Sequence, residues 1–71
     1  MKKVGSEVMT PVIAEGAAMP REKMHFAGLS SETKPTGSYE GVLLSSESSY
    51  FALDTGTIFF YNEENSTWYE Q

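Results

Sequence analysis

The chain has 71 residues, no cysteine and a formal net charge of −5. This length allows one small domain, and the lack of cysteine excludes disulfides, zinc–thiolate sites and thiol catalysis. No apolar stretch approaches the roughly 20 residues that a transmembrane helix needs. A core of this size supplies about 3–5 kcal/mol, so we expect oligomerisation, or docking onto a larger assembly, to complete the fold.

The charge is divided unevenly along the chain. Residues 1–34 carry five basic and four acidic side chains, whereas residues 35–71 carry six acidic side chains and no Lys or Arg. Affinity for nucleic acid rests on Lys and Arg contacts with phosphate. We therefore expect no nucleic-acid partner, and the lack of a long apolar stretch predicts no membrane partner. Because no apolar segment follows the basic start, the sequence also predicts no secretory signal.

Residues 1–23 are predicted to form an extended arm that becomes ordered against a partner. Glycines and the prolines Pro11 and Pro20 interrupt the segment, and proline is unfavourable inside a helix. A turn of helix at residues 14–19 is the most regular structure expected there. The apolar side chains predicted to contact the partner are Val4, Val8, Val12 and Ile13.

Residues 24–71 are predicted to form a small β module, an antiparallel meander of three to four strands. Aromatic and β-branched residues favour strands at 49–53, 57–61 and 67–70. Asp54-Thr55-Gly56 fits a tight hairpin turn, in which Gly56 is free to take positive φ. Residues 24–29 could add a first strand, and residues 42–44 either a short strand or a buried corner.

Seven of the nine aromatic residues lie between residues 50 and 69. Alternation in the middle strand places Ile58 and Phe60 on one face and Phe59 and Tyr61 on the other, so both faces are apolar. Either another subunit covers the second face, or the segments at 24–29 and 42–44 fold over it. We favour the contact between subunits. The predicted interface residues are Phe51, Leu53, Ile58, Phe60 and Trp68.

The one match to a catalytic signature is Leu53-Asp54-Thr55-Gly56. Aspartic proteases place a catalytic Asp in such a turn, and two turns share one proton. Retroviral-type proteases do so as small homodimers, but they also need a glycine-rich flap and a late apolar-Gly segment. No glycine follows Gly56 in this chain. We therefore predict a hairpin turn and a protein that is not an enzyme, has no cofactor and binds no metal.

An ordered set of short motifs resembles small structural proteins of tailed bacteriophages, of the head-fibre and capsid-associated type. The set comprises Gly28-Leu29-Ser30-Ser31-Glu32-Thr33-Lys34-Pro35-Thr36-Gly37, then Asp54-Thr55-Gly56-Thr57-Ile58-Phe59-Phe60-Tyr61, then Ser66-Thr67-Trp68. It covers about residues 26–71. The chain departs from the usual pattern at 44–47, where Leu-Ser-Ser-Glu replaces Pro-x-Gly-Ser, and at Phe59, where Tyr is usual.

The resemblance implies a virion protein on the capsid surface, made in the host cytoplasm. Such proteins are often homotrimers, and the N-terminal arm would bind the major capsid protein or another virion protein. An alternative from another class is a soluble phage-encoded inhibitor whose acidic half imitates nucleic acid. That alternative predicts acids aligned on one face, whereas most acids of this chain are predicted in turns.

Overall fold

The secondary-structure elements of the described chain are all β-strands. The computed structural model describes the backbone of all 71 residues and every side chain except that of Ala14. Within that description no helix is present, which confirms the predicted mainly β class. The seven strands are β1 (Lys2–Ala14), β2 (Ala17–Gly28), β3 (Ser38–Tyr39), β4 (Val42–Leu44), β5 (Ser49–Ala52), β6 (Thr57–Asn62) and β7 (Thr67–Glu70).

The strands form one mixed sheet, with the order β3-β4-β2-β5-β6-β7 and β1 paired to β2. Strands β5, β6 and β7 follow one another in antiparallel pairs, as the predicted meander requires. Strand β2, however, runs parallel to both β4 and β5. The predicted three- to four-stranded antiparallel meander is therefore not confirmed as the architecture of the module, because the sheet is mixed and the N-terminal segment joins it.

The first 28 residues form a long β-hairpin. Strands β1 and β2 pair antiparallel and meet at Glu15-Gly16, where φ is 50° and 76°. Two consecutive positive φ angles define a type I′ turn, whose twist matches that of the flanking strands. No turn of helix forms at residues 14–19. The boundary predicted between residues 23 and 24 falls inside β2, so the N-terminal segment is continuous with the β module.

Both prolines are accommodated by a bulge in this hairpin. The register shifts between Met9 and Val12, and this leaves Pro11 outside the regular ladder. Pro20 lies opposite the same irregularity, between the paired residues Met19 and Arg21. Proline cannot donate to a ladder and is tolerated at bulges and edges. The prolines are therefore unfavourable for a helix in this segment but compatible with two paired strands.

Strand β2 uses both of its edges. Strand β1 takes one edge along its whole length, so β4 and β5 share the other. On that shared edge the carbonyls of Glu22 and Gly28 accept from Ser45 and Leu53, at 2.9 and 2.7 Å. Between β4 and β5 the Met24 N–H donates to the Ser48 hydroxyl at 2.9 Å. A side chain thus fills the gap in the backbone ladder.

The core lies on one face of the sheet and is rich in aromatic residues. Phe26 packs edge-to-face with Tyr39 at 5.0 Å between ring centroids, and Trp68 lies 5.0 Å from Tyr61. The buried apolar residues are Met24, Phe26, Leu44, Tyr50, Ala52 and Tyr61, with Tyr39, Val42, Phe59 and Trp68 packed against them. We call this side of the sheet the inner face.

A loop at residues 29–37 covers the inner face. The Tyr50 hydroxyl donates to the Leu29 carbonyl at 2.7 Å, and Trp68 Nε1 donates to the Pro35 carbonyl at 2.8 Å. The ammonium of Lys34 lies 4.2 Å from the centre of the Phe59 ring, a distance typical of a cation–π contact. The resemblance motif at residues 28–37 therefore folds within the chain, over its own aromatic core.

Candidate docking surfaces

The opposite side of β5, β6 and β7 carries an uncovered apolar surface, which we call the outer face. In register, Phe51 pairs with Ile58 and Phe60 with Tyr69, and Leu53 follows β5. These five side chains are each 40–61% exposed. With roughly 150–250 Å² for a large side chain, they present on the order of 500 Å² of apolar surface. That is as large as the largest patch of an ordinary monomer, about 300–600 Å².

Four of the five predicted interface residues lie together on this outer face, namely Phe51, Leu53, Ile58 and Phe60. The fifth does not. Trp68 pairs with the buried Tyr61, so it points to the inner face and packs in the core. Alternation along β7 is the physical reason, because Tyr69 rather than Trp68 shares the side of Phe60.

The outer face continues from β5 onto β2. Phe60 pairs with Ser49, and Ser49 pairs with His25 of the parallel strand. The His25 Nδ1 and the Ser49 hydroxyl lie 2.6 Å apart and share a hydrogen bond. Local sequence patterns do not indicate this pair, since it depends on the parallel pairing of β2 with β5. The contact fixes the polar margin of the apolar surface.

Beyond His25 the outer face ends in a charged cluster. The Lys23 ammonium lies 3.8 Å from carboxylate oxygens of both Glu7 and Glu47. Arg21 reaches the Glu63 carboxylate at 3.0 and 3.2 Å and thereby ties the hairpin to the β6–β7 loop. Exposed ion pairs of this kind add little stability. Their position nonetheless separates the apolar outer face from the projecting end of the hairpin.

The four apolar residues predicted to bind a partner through the arm are all exposed in the hairpin. Val8 is 84% exposed, the highest value among the large hydrophobic residues. Their spacing does not create one face, however. Val12 and Ile13 pair with Met19 and Ala18, so they point to opposite sides of the ribbon, and Val4 lies in a register shift.

Asp54 anchors the loop that covers the core. Its two carboxylate oxygens accept hydrogen bonds from the Ser30 N–H at 2.9 Å and from the Ser30 hydroxyl at 2.8 Å. The hydroxyl and then the N–H of Ser30 hold the pKa of Asp54 below its ordinary value. The following Gly56 has a φ of 69°, as the predicted hairpin turn requires. This arrangement suits a structural carboxylate.

A second carboxylate holds the same loop from the other side. Glu32 accepts from the Leu29 N–H at 3.1 Å and forms an ion pair with the N-terminal amino group. The hydrogen bond from the amino group, followed by that from Leu29, lowers the pKa of Glu32. The loop is thus held by two carboxylates whose charged forms are favoured in the folded state.

Other kinds of site find less support in the described part of the chain. No pocket opens among these residues, and no three metal-ligating side chains come together. No helix there is long and apolar enough to cross a membrane. Comparisons with protein-family models, with curated proteins and with solved structures give no match to this chain. The outer face and the hairpin are therefore the features on which a functional proposal can rest.

Proposed function

We propose that this protein is a non-enzymatic structural protein of a bacteriophage virion, of the capsid-bound head-fibre or decoration type. In this proposal the outer face joins copies into a homotrimer. The β1–β2 hairpin anchors each copy to the major capsid protein or to another virion protein. Support comes from the motif resemblance over residues 26–71 and from the two exposed surfaces of the structure.

The apolar outer face is the observation that carries the proposal. Residues 29–37 already satisfy the aromatic inner face, so the outer residues have no role in the core of a single chain. A stable interface buries about 800 Å² on each partner. The outer face supplies part of that area, and a trimer would add the neighbouring polar margin around His25. Association would therefore bury an apolar centre surrounded by polar residues.

The β1–β2 hairpin provides a second exposed surface. The molecule measures 43 × 22 × 16 Å, an elongated shape to which the long hairpin contributes. An extended element can bind along a groove or a sheet edge through its backbone. In a symmetric assembly, many copies convert modest affinity at each site into strong overall attachment.

Mass spectrometry of purified virions, with an estimate of copy number, tests this function. Virions would come from a phage that encodes the chain, and a capsid protein of known copy number would calibrate the count. We expect hundreds of copies per particle. A handful of copies would contradict capsid decoration and indicate a tail or portal component. Absence from particles would overturn the virion proposal as a whole.

A further inference from the structure

The outward edge of β1 offers backbone groups that no residue of the described chain uses as a strand partner. In β2 the backbone groups of Glu22 and Met24 point away from β1, as their bonds to Ser45 and Ser48 show. When two residues lie directly opposite each other in an antiparallel pair, their backbone N–H and C=O groups either all point toward the other strand or all point away from it. Val8 and Ser6 pair with Glu22 and Met24. Their N–H and C=O groups therefore point outward.

This open edge is short and has defined ends. On one side the Arg21 side chain donates to the Thr10 carbonyl at 3.1 Å, and Pro11 has no N–H to offer. On the other side the register shift at Val4 interrupts the ladder. What remains is the stretch Gly5–Met9 with Ser6 and Val8 as its outward-facing residues. We call it the β1 window.

A second copy of the chain fits this window poorly. Two β1 strands paired antiparallel through Ser6 and Val8 would place Glu7 directly opposite the Glu7 of the other copy. Like charges directly opposite in a sheet are destabilising. Shifting the register to pair Val8 with itself would bring Ser6 to Thr10, whose carbonyl is already occupied by Arg21. Pairing Ser6 with itself would bring Val8 to Val4, which lies in the register shift. The window therefore disfavours antiparallel pairing with a second copy.

We propose that the β1 window accepts an extended strand from a different protein, with Lys or Arg facing Glu7 and an apolar residue facing Val8. Glu7 is accessible to a cation because its side chain is 66% exposed, and Lys23 would keep its contact with Glu47. The strand would also cover Val8. The inference rests on the proposed function, since it specifies how the hairpin anchors the protein to its virion partner.

The Val8→Pro variant tests the edge without disturbing the hairpin. The Val8 N–H points outward, so proline removes no hydrogen bond to β2, and proline is tolerated on edge strands. Val8→Thr is the matched control, because it keeps the N–H and a β-branched side chain. We expect both variants to unfold at the same urea concentration as the parent. A loss of binding in Val8→Pro could then not be attributed to unfolding.

The probe is the synthetic peptide Thr-Thr-Val-Lys-Val-Thr-Thr, added to ¹⁵N-labelled protein and followed by NMR. We expect shifts and slowed exchange at the amides of Ser6 and Val8, in the parent and in Val8→Thr. Binding should be lost in Val8→Pro. A peptide with central Glu should bind about two- to tenfold more weakly, because it faces Glu7.

Three outcomes would overturn the inference: binding by Val8→Pro equal to the parent, equal binding of the two peptides, or shifts confined to β7. Each concerns the isolated protein and is independent of the virion census. If the protein is found in virions but does not bind the Lys peptide, only the inference about the β1 window is refuted. A protein that binds the peptide but is missing from virions would refute the proposed function alone.

Discussion

At the scale of single residues, Ser48 compensates for the interruption between two short strands. Its hydroxyl accepts from the Met24 N–H at 2.9 Å and donates to the Ser45 carbonyl at 2.8 Å. The side chain is fully buried. The run Ser45-Ser46-Glu47-Ser48-Ser49 does not indicate which serine is buried. The buried hydroxyl is required because β4 and β5 both pair with β2 and leave the Met24 N–H between them.

Replacing Ser48 with alanine should destabilise the fold although the change is small. It would leave the buried Met24 N–H without an acceptor, which costs about 1–3 kcal/mol. Urea unfolding followed by tryptophan fluorescence measures the effect. Ser31→Ala, at an exposed loop position, is the control and should change stability by less than about 0.5 kcal/mol. Equal midpoints for the two variants would contradict the proposed role.

The two loop carboxylates predict how stability depends on pH. Their pKa values in the folded state lie below the ordinary 3.8 of Asp54 and 4.5 of Glu32. The unfolded state therefore takes up protons first as the pH falls. The stabilising contribution is complete above about pH 5 and declines as the pH passes through the lowered folded values.

Asp54→Asn should therefore weaken the acid dependence of unfolding, measured as the urea midpoint between pH 6 and pH 3. The parent should lose more stability over this range than the variant, because the variant has no Asp54 carboxylate to protonate. Glu64→Gln, which changes an exposed acid in the β6–β7 loop, should retain the parental slope. Identical slopes for parent and Asp54→Asn would refute the role given to Ser30. If the parent cleaves peptides and Asp54→Asn does not, that result would instead favour an aspartic protease.

At the scale of elements, local patterns predicted the C-terminal half well. Aromatic and β-branched runs indicated β5, β6 and β7, and Gly56 indicated the turn between the first two, because these features act between sequence neighbours. The short strand β4 agrees with one of the two structures expected for residues 42–44. The same local information separates Ile58 and Phe60 from Phe59 and Tyr61 by strand alternation.

The N-terminal half could not be predicted in this way. Glu15-Gly16 lacks the Asn or Asp that usually marks a type I′ turn, and the prolines conceal a hairpin whose bulge accommodates them. Parallel pairing of β2 with β4 and β5 joins segments distant in sequence. Trp68, predicted at the interface, lies on the inner face for a different and local reason: alternation along β7 places Tyr69 beside Phe60 and Trp68 beside the buried Tyr61.

At the scale of the whole molecule, the two faces of one sheet have different roles. The inner face is covered by residues of the same chain and holds the fold together. The outer face bears side chains of similar hydrophobicity that contribute little to that core. A substitution on each face should therefore separate stability from association.

Trp68→Ala and Phe60→Thr make this comparison. Removing the half-buried Trp68 should cost about 2–4 kcal/mol, somewhat less than truncation of a fully buried tryptophan. Phe60→Thr places a β-branched residue, which favours strands, at an exposed strand position and should change the unfolding free energy of the monomer by less than about 1 kcal/mol. Urea unfolding at low protein concentration measures both effects.

Native mass spectrometry of the parent and of Phe60→Thr then tests association. We expect the parent to form trimers at micromolar concentration and Phe60→Thr to remain monomeric while folding normally, since it removes an aromatic ring from the centre of the outer face. Thr33→Ser, at an exposed position of the loop that covers the inner face, is the control and should assemble like the parent. A parent that stays monomeric with a cooperative melt would show that the outer face is not a self-association surface. Trimers of undiminished stability in Phe60→Thr would place the subunit contact elsewhere on the molecule.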